Sequence, residues 1–429
     1  MTNLIVRKTE NLSGTVEAPP SKAYTHRALI AASLSEGRSS IQKPLFCDDT
    51  MATIKGCSLL GAKIRRVKGS LMMDGTPRPV TPKDIIHCGG SASTIRFLTP
   101  LCSLADGISV LTGNEGLRRR PMEPLLDALR QLGVQCYSTQ GDGYPPVVVF
   151  GGGIRGGGAS IRGDISSQFV SGLLFGTPKA ERDTEIVVTT QLESKPYVTM
   201  TLDILQKHGI KIGSSPDYGR FSVPCGQAYT PFNHIIEGDY SSAAFLLAAA
   251  AITNSHVKIT NLRRDTLQGD RKLIEILQEM GFQVKMGEDY VETLGANQGL
   301  KGIEVDLRDM PDLVPVCAAL ACHAHGETVI RGAGRLRLKE SDRIASLSIE
   351  LRKMGGKIME SEEGFIIQGG RLHGAEIDSH NDHRIAMACA VAALGAEGIT
   401  TIRRIECVDK SYPDFVKDLL SLGGEVHVG

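Results

Sequence analysis

The sequence predicts a mixed α/β (α+β) fold in which one module of two helices and several short strands is repeated six times. The first observation is a helix-like segment that ends in glycine, continues into a short β-like run and recurs about every 70 residues. The second is a small polar or acidic residue before an apolar, alanine-rich segment, with the same period. Six modules divide evenly into two domains of three, and 429 residues are enough for two hydrophobic cores.

The glycine of each module stands where a helix C-cap needs a left-handed residue before the chain enters a strand. The amphipathic helices that end at these glycines are predicted to form part of the outside of each domain. The six glycines are Gly61, Gly133, Gly209, Gly281, Gly355 and Gly423.

The alanine-rich segments are predicted to be buried helices. Residues Ser241 to Ala250, for example, are apolar on nearly every side, which is typical of a helix inside a domain. Small polar and acidic residues favour the N-cap position of a helix. The predicted caps are Ser21, Ser91, Ser166, Ser241, Asp312 and Asp382.

Composition narrows the class of protein. The 48 Lys and Arg residues balance 48 Asp and Glu residues, so the chain has no general basic field for nucleic acid or an anionic membrane. The ten cysteines include no C-x-x-C pair, which favours a reduced, cytoplasmic protein without a zinc site. His380 and His383 have no evident third ligand nearby, and we interpret them as structural.

The stretch from Arg335 to Arg343 sets six charges of both signs at the start of a helix predicted to run to Met354. Helix N-termini attract anions, and Lys339 and Arg343 add full positive charges. Glu340 lies between them and is a candidate for moving a proton. A solvated charged face is the alternative interpretation.

Two further cations, Lys22 and Arg27, lie in the first predicted buried helix. A core-facing helix rarely hides two cations without a ligand or a counter-ion. The alternative is that both side chains extend to solvent at the helix end. A triple arginine, residues 118–120, precedes Pro121, which is predicted to be the first residue of another helix.

Other polar side chains stand near the starts of later modules. Asp312 precedes an apolar helix, where capping alone would explain it. Arg384 and Lys410 add two more cations. The hydroxyls and amide of residues 166–168 and 194–197 suit a polyol or a phosphate.

These segments, in this order, resemble the enolpyruvyl transferase family from about Ala18 to Asp414. The motifs that carry the resemblance are Ser21-Lys22 with Arg27, Arg119-Arg120-Pro121, Ser166-Ser167-Gln168, Ser194-Lys195-Pro196-Tyr197, Lys339-Glu340-Ser341-Asp342-Arg343, Asp382-His383-Arg384 and Lys410. The resemblance implies two domains of three βαβαββ units each. Residues 16–234 would form the first, residues 1–15 and 235–429 the second, and the active site would lie in the cleft between them.

The resemblance also implies a reaction in which the enolpyruvyl group of phosphoenolpyruvate moves onto the 5-hydroxyl of shikimate 3-phosphate. Phosphate leaves after a tetrahedral intermediate. No metal or cofactor is implied, because arginine and lysine can hold the phosphates and the carboxylate. Residues implied to bind shikimate 3-phosphate are Lys22, Arg27, Ser166, Ser167, Gln168, Ser194, Tyr197, Asp312 and Lys339. Residues implied to bind phosphoenolpyruvate are Lys22, Ala92, Ser93, Arg120, Gln168, Arg343, Arg384 and Lys410.

The implied chemistry removes one proton from the hydroxyl and adds one to the methylene carbon of phosphoenolpyruvate. Asp312 is the candidate base at the hydroxyl, and either Glu340 or Lys22 is the candidate acid at carbon. We further expect a cytoplasmic monomer that serves aromatic amino-acid biosynthesis and is a target of glyphosate.

The chain departs from the family pattern at a few positions. Ala23 replaces a serine and so removes a hydroxyl toward shikimate 3-phosphate. The phosphoenolpyruvate loop, usually Asn-x-Gly-Thr, reads Gly90-Ser91-Ala92-Ser93, and Arg335 replaces an asparagine found in some members. The roles of these positions do not carry over directly from the family.

Two other functions compete with this interpretation. The sister enzyme that uses UDP-N-acetylglucosamine typically has a cysteine in the loop before its Arg-Pro, and residues 111–121 contain none. A non-catalytic binding module or an RNA-end enzyme of related repeats is disfavoured by the neutral net charge and by only 5% aromatic residues.

Overall fold

The computed structural model describes residues 2–429, which form a mixed α/β fold. Helices and strands are numbered in chain order. The helices are α1 (Lys22–Ser33), α2 (Asp48–Leu59), α3 (Ala92–Cys102), α4 (Glu115–Arg118), α5 (Glu123–Gln131), α6 (Ser167–Gly176), α7 (Lys195–Lys207), α8 (Tyr240–Ile252), α9 (Leu273–Glu279), α10 (Val314–His323), α11 (Arg343–Lys353), α12 (His383–Ala393) and α13 (Phe415–Ser421).

The strands are short, most of them three to six residues long. They are β1 (Asn3–Arg7), β2 (Ser13–Glu17), β3 (Arg38–Gln42), β4 (Lys63–Val67), β5 (Ser70–Asp74), β6 (Ile86–His87), β7 (Ile108–Thr112), β8 (Gln135–Ser138), β9 (Val147–Phe150), β10 (Gly157–Ile161), β11 (Thr184–Val188), β12 (Gly213–Ser214), β13 (Arg220–Val223), β14 (Asn233–Ile235), β15 (His256–Thr260), β16 (Gln283–Met286), β17 (Tyr290–Gly295), β18 (Glu304–Asp306), β19 (Glu327–Arg331), β20 (Lys357–Ser361), β21 (Gly364–Gln368), β22 (Glu376–Asp378), β23 (Ile399–Arg403) and β24 (Val426–Val428).

The six-fold repeat is visible in the sheets. The described residues form six four-stranded sheets, and each consists of one parallel pair followed by two antiparallel pairings. In four sheets a buried helix joins the parallel strands, as in β6–α3–β7, β10–α6–β11, β18–α10–β19 and β22–α12–β23. Parallel strands need such a crossover connection, which explains why every module places an apolar helix after its first strand.

The other two sheets exchange their first strands. Strand β2 precedes α1 in the chain but pairs with β15, whereas β14 precedes α8 but pairs with β3. The chain accordingly divides into two compact units. We call Pro20–Ile236 the central unit, and the residues up to Pro19 with Glu237–Gly429 the terminal unit. Each unit has its own hydrophobic core.

The predicted glycine C-caps are confirmed. The backbone φ angles are +107° at Gly61, +86° at Gly133, +79° at Gly209, +88° at Gly281, +89° at Gly355 and +92° at Gly423. Side chains other than glycine are strained in this left-handed region. The six glycines therefore mark the same turn in six copies of the module.

Four of the six predicted N-caps are confirmed. The side chains of Ser21, Ser91, Ser166 and Asp382 accept hydrogen bonds from backbone N–H groups in the first turns of α1, α3, α6 and α12. Asp342, near the end of the stretch from Arg335 to Arg343, caps α11 by accepting from the N–H of Ala345 at 3.0 Å.

The other two predicted caps are wrong. Asp239 caps α8, because its carboxylate accepts from the N–H of Ser242 at 2.8 Å, while Ser241 lies inside the helix. Asp312 lies in a short 3₁₀ turn, Pro311–Leu313, one turn ahead of α10, and its carboxylate pairs with arginines instead. Pro121 is also misplaced by the sequence prediction, because α5 begins only after Met122.

Candidate active site

The central unit carries its candidate residues at helix starts. Lys22 is the first residue of α1, Ala92 the first of α3 and Ser167 the first of α6. Unpaired N–H groups and a partial positive charge are found at such positions. Lys22 Nζ also pairs with Asp49 Oδ2 at 3.1 Å, and the lysine side chain is 20% exposed.

Arg27 lies in α1 one turn after Lys22 and is only 3% exposed, so the alternative interpretation, that its side chain extends to solvent, is wrong. Its guanidinium donates to Thr201 Oγ1 at 2.9 Å and to the carbonyl oxygens of Ala23 and Tyr197 at 3.0 and 2.9 Å. All three acceptors are neutral. Burial therefore lowers the pKa of Arg27 to about 10, because no full negative charge compensates the lost hydration.

Arg96, a residue that the sequence interpretation missed, connects three of the predicted segments. Its guanidinium donates to Ser166 Oγ at 3.1 Å, to Gln168 Oε1 at 3.0 Å and to the carbonyl of Pro121 at 3.0 Å. Gln168 in turn donates from Nε2 to Ser93 Oγ at 2.9 Å. The available signal was an arginine inside an otherwise apolar helix, as at Arg27.

The remaining candidates of the central unit lie near these groups or on the same helices. Arg120 is 6% exposed, whereas the two arginines before it are exposed, so only the last member of the triple arginine is buried. Ser194 precedes α7 with a left-handed φ of +56°, a conformation that costs a serine free energy and is often found at functional sites. Tyr197 follows one turn into the helix, and its ring lies 5.7 Å from the Arg27 guanidinium.

In the terminal unit, Arg343 is the centre of the site, with a side chain only 2% exposed. Its Nε donates to Asp382 Oδ2 at 2.8 Å, Nη2 to Glu340 Oε2 at 2.9 Å and Nη1 to Asp312 Oδ1 at 3.2 Å. Burial opposes the positive charge, but these three carboxylates outweigh burial and raise the pKa of Arg343 above its usual value.

Two more cations complete what we call the arginine–carboxylate network. Arg384 Nη2 lies 3.0 Å from Asp312 Oδ2, and Lys410 Nζ lies 3.3 Å from Glu340 Oε1. The network consists of Arg343, Arg384, Lys410, Asp312, Glu340 and Asp382. It therefore contains three cations and three carboxylates, and the solvated-face interpretation is wrong for its buried members.

A second buried carboxylate, Asp270, lies beside Asp312. It is 2% exposed and hydrogen-bonds to Ser241 in α8. Burial raises its pKa to about 7, and the negative charge of Asp312 adds to that effect. The sequence interpretation missed Asp270, because a charged residue after a loop is usually solvent-exposed.

Two further candidates, Lys339 and Arg335, belong to the charged stretch. Lys339 follows the 3₁₀ turn Gly334–Leu338 and is half-buried. Arg335 is buried, and its guanidinium donates to the carbonyl oxygen of Arg308 at 2.6 Å. Arg335 therefore holds the turn to the preceding loop.

The chain matches known proteins over nearly its whole length. A family model described as EPSP synthase (3-phosphoshikimate 1-carboxyvinyltransferase) matches residues 6–419. The 3-phosphoshikimate 1-carboxyvinyltransferase of Methanocaldococcus jannaschii is 46% identical over 429 residues, which cover 99% of both chains. The enzyme of the same name from Methanococcus maripaludis strain C5 is 43% identical and covers 99% of this chain and 100% of its own.

This chain belongs to the EPSP synthase family. A solved structure of EPSP synthase from Acinetobacter baumannii is similar over 100% of both chains, with a TM-score of 0.84 and 28% sequence identity. The EPSP synthase family is a family of transferases, and the match to its model confirms the predicted resemblance. The similarity to the solved structure confirms the mixed α/β architecture. The matches support shikimate 3-phosphate as the acceptor and not UDP-N-acetylglucosamine.

Two further features of the described residues concern membrane spans and metal ions. Among residues 2–429, no helical segment has the length and hydropathy that a bilayer crossing requires. Over the same residues, no group of three or more His, Cys, Asp or Glu side chains is arranged to hold a metal ion. His380, which was considered as a ligand, instead hydrogen-bonds through Nε2 to Glu350 at 2.8 Å.

Proposed function

We propose that this chain transfers the enolpyruvyl group of phosphoenolpyruvate to the 5-hydroxyl of shikimate 3-phosphate and releases phosphate. The observation that carries the proposal is the arginine–carboxylate network, because it combines cations for an anionic substrate with carboxylates that can move protons. The domain boundaries are proposed as the family resemblance implies them. The first domain would then be residues 16–234, and the second would be residues 1–15 with 235–429.

Shikimate 3-phosphate is bound chiefly by neutral donors and buried cations of the central unit in this proposal. Support comes from Arg27, a buried cation with only neutral hydrogen-bond partners, and from Arg96, which orients Ser166 and Gln168. A phosphate supplies the negative charge that Arg27 lacks. The proposed ligands are Lys22, Arg27, Ser166, Ser167, Gln168, Ser194, Tyr197, Asp312 and Lys339.

Phosphoenolpyruvate is bound by guanidinium and ammonium groups that grip its phosphate and its carboxylate. Arginine suits this role, because its planar fork donates two parallel hydrogen bonds to either group. The proposed ligands are Lys22, Ala92, Ser93, Arg120, Gln168, Arg343, Arg384 and Lys410.

The proton steps are assigned to Asp312, Glu340 and Lys22. Asp312 removes the proton of the 5-hydroxyl while that oxygen bonds to the central carbon of phosphoenolpyruvate. Glu340 or Lys22 delivers a proton to the methylene carbon, which becomes a methyl group in the tetrahedral intermediate. Loss of a methyl proton and departure of phosphate then restore the double bond. Support comes from the positions of both carboxylates, which contact the proposed phosphoenolpyruvate ligands Arg343, Arg384 and Lys410.

Cellular location, oligomeric state and inhibition by glyphosate are also proposed. We propose a cytoplasmic monomer in aromatic amino-acid biosynthesis that glyphosate inhibits. All ten cysteines are free thiols, which supports a reducing compartment. Size-exclusion chromatography with light scattering tests the monomer, and inhibition of phosphate release tests the effect of glyphosate.

The deciding experiment measures phosphate release from phosphoenolpyruvate by the purified chain, with and without shikimate 3-phosphate, in buffer that contains a chelator. We expect release only when both compounds are present, and no effect of the chelator. Release without shikimate 3-phosphate, or release that UDP-N-acetylglucosamine supports equally well, would contradict the proposal.

A further inference from the structure

Glu350 is a buried carboxylate that the proposed mechanism does not use. It lies in α11, seven residues after Arg343, and its side chain is 1% exposed. A buried carboxylate is costly unless several donors satisfy it. Glu350 has three such donors: Lys353 Nζ at 2.7 Å and the N–H of Asp378 at 3.0 Å reach Oε2, and His380 Nε2 reaches Oε1 at 2.8 Å.

Two of these donors belong to the turn between β22 and α12, residues 378–381. His380 and Asn381 have φ angles of +52° and +53°, so two consecutive residues other than glycine adopt the left-handed conformation. Such residues persist only where surrounding contacts hold them. The His380 N–H donates to Asp378 Oδ1 at 2.7 Å, and Arg404 binds the same oxygen. The Glu350 carboxylate binds both ends of this short segment.

The turn leads directly into the arginine–carboxylate network. Asp382 follows it, caps α12 and accepts two hydrogen bonds from Arg343, and Arg384 is the second residue of α12. Residues seven apart on a helix lie on the same face, two turns from each other. Helix α11 therefore holds the start of α12 at two points, Arg343 with Asp382 and Glu350 with the turn.

We infer that Glu350 is a positioning residue that sets the start of α12, and thereby Arg384 and Asp382, relative to Arg343. The inference rests on the proposed function, in which Arg343 and Arg384 bind phosphoenolpyruvate. Only a carboxylate satisfies this position, because every neighbouring group is a donor. A glutamine would turn an N–H group toward one of those donors and leave it without an acceptor.

The test compares steady-state kinetics of Glu350→Gln, Glu350→Asp and His380→Ala with the wild type. For Glu350→Gln we expect the KM for phosphoenolpyruvate to rise about 10-fold or more, which corresponds to one lost charge-assisted hydrogen bond. The KM for shikimate 3-phosphate should stay within about 2-fold, because its proposed ligands lie mostly in the central unit. Glu350→Asp should recover part of the loss, and His380→Ala should raise the same KM less than Glu350→Gln does.

Glu362→Gln, an exposed glutamate in the β20–β21 turn, is the matched control and should leave both KM values unchanged. A merely structural role would lower kcat through the fraction of folded enzyme and leave both KM values alone. That result, or equal rises in both KM values, would overturn the inference while the proposed function stands. If Glu350→Gln does not fold, His380→Ala and Glu350→Asp decide by the same criterion. A wild-type chain without activity would overturn the proposed function and this inference together.

Discussion

Arg27 and Arg343, one buried cation from each unit, are held in opposite ways. In the central unit, Arg27 donates only to neutral oxygens, and burial lowers its pKa. In the terminal unit, Arg343 contacts three carboxylates, and its pKa is raised despite equal burial. Arg27 thus provides positive charge that an anion can neutralise, whereas the arginine–carboxylate network of the terminal unit already balances three cations with three carboxylates and keeps those carboxylates for proton transfer. Lys22, paired with Asp49, is the central unit's exception.

The largest effect is expected from breaking the terminal network at Arg343→Met. This change leaves Asp312, Glu340 and Asp382 without their shared cation, so we expect activity to be lost and the free energy of unfolding to fall by about 3–5 kcal/mol. Activity assays and urea unfolding measure the two effects. Arg331→Met, which removes an exposed pair with Glu304, is the control and should cost at most about 1 kcal/mol. Equal losses in both variants would refute the central role of Arg343.

A smaller effect, confined to turnover, is expected from Asp312→Asn and Glu340→Gln. Both changes keep the side-chain shape but remove the ability to take up or release a proton, so kcat should fall by about 10²–10⁴-fold. The KM values should change far less, because the cations remain. Steady-state kinetics for each substrate provide the measurement. Near-normal turnover in both variants would show that neither carboxylate moves a proton.

Arg27→Met tests the central unit in the same way. Here we expect substrate binding to weaken while the free energy of unfolding stays nearly unchanged. The KM for shikimate 3-phosphate should rise about 10–100-fold through loss of a charged hydrogen-bond donor. The free energy of unfolding should change by less than about 1 kcal/mol or increase, because the buried charge has no carboxylate that the change would leave unpaired. Urea unfolding of this variant beside Arg343→Met measures the difference. A loss of stability as large as that of Arg343→Met would contradict the comparison.

The last effects concern pH, and they are opposite in sign in the two units. His208 and His234 are buried in the central unit with their Nε2 atoms 2.8 Å apart, and burial lowers their pKa values to about 4 and about 3. The unfolded chain therefore binds protons below about pH 6.5 that the folded unit does not, and stability is lost as the pH falls. The slope is about 1.4 kcal/mol per pH unit for each histidine. Urea midpoints of His234→Gln should depend less on pH between 6 and 4 than those of the wild type.

Asp270 provides the opposite slope in the terminal unit. Its folded-state pKa of about 7 lies above the ordinary value of 3.8, so the folded chain keeps a proton that the unfolded chain releases. Its contribution is complete below about pH 4 and is lost as the pH rises toward 7. Asp270→Asn should remove this loss and flatten the urea midpoint between those values. An unchanged profile would mean that Asp270 is ionised in the folded protein.

Much of the fold and many of the site segments could be predicted from local sequence. The glycine at each helix end and the apolar helix in each module are local signals, and the structure confirms all six glycines and the burial of those helices. The resemblance rested on short contiguous motifs, which comparison with known proteins confirms as a family. The role of each site residue stays a prediction.

The predictions that were wrong and the residues that were missed depend on contacts with residues distant in sequence. Ser241 and Asp312 have the local sequence of N-caps. In the structure, however, the Ser241 hydroxyl hydrogen-bonds to Asp270, and the Asp312 carboxylate pairs with Arg343 and Arg384. Arg96 and Glu350 sit in helices whose sequence gives no hint of the loops that they bind. Hydrogen bonds between groups that are 28 or more residues apart leave no periodic trace in a sequence.

By itself, then, the sequence determined the repeat, the glycines at the helix C-termini and the family, because these depend on residues within about one module of each other. Only the tertiary structure decided which strand completes each sheet, since β2 and β14 pair with strands far along the chain. It also decided the charge state of the site. Whether a buried cation contacts a carbonyl or a carboxylate depends on packing, and that difference separates Arg27 from Arg343.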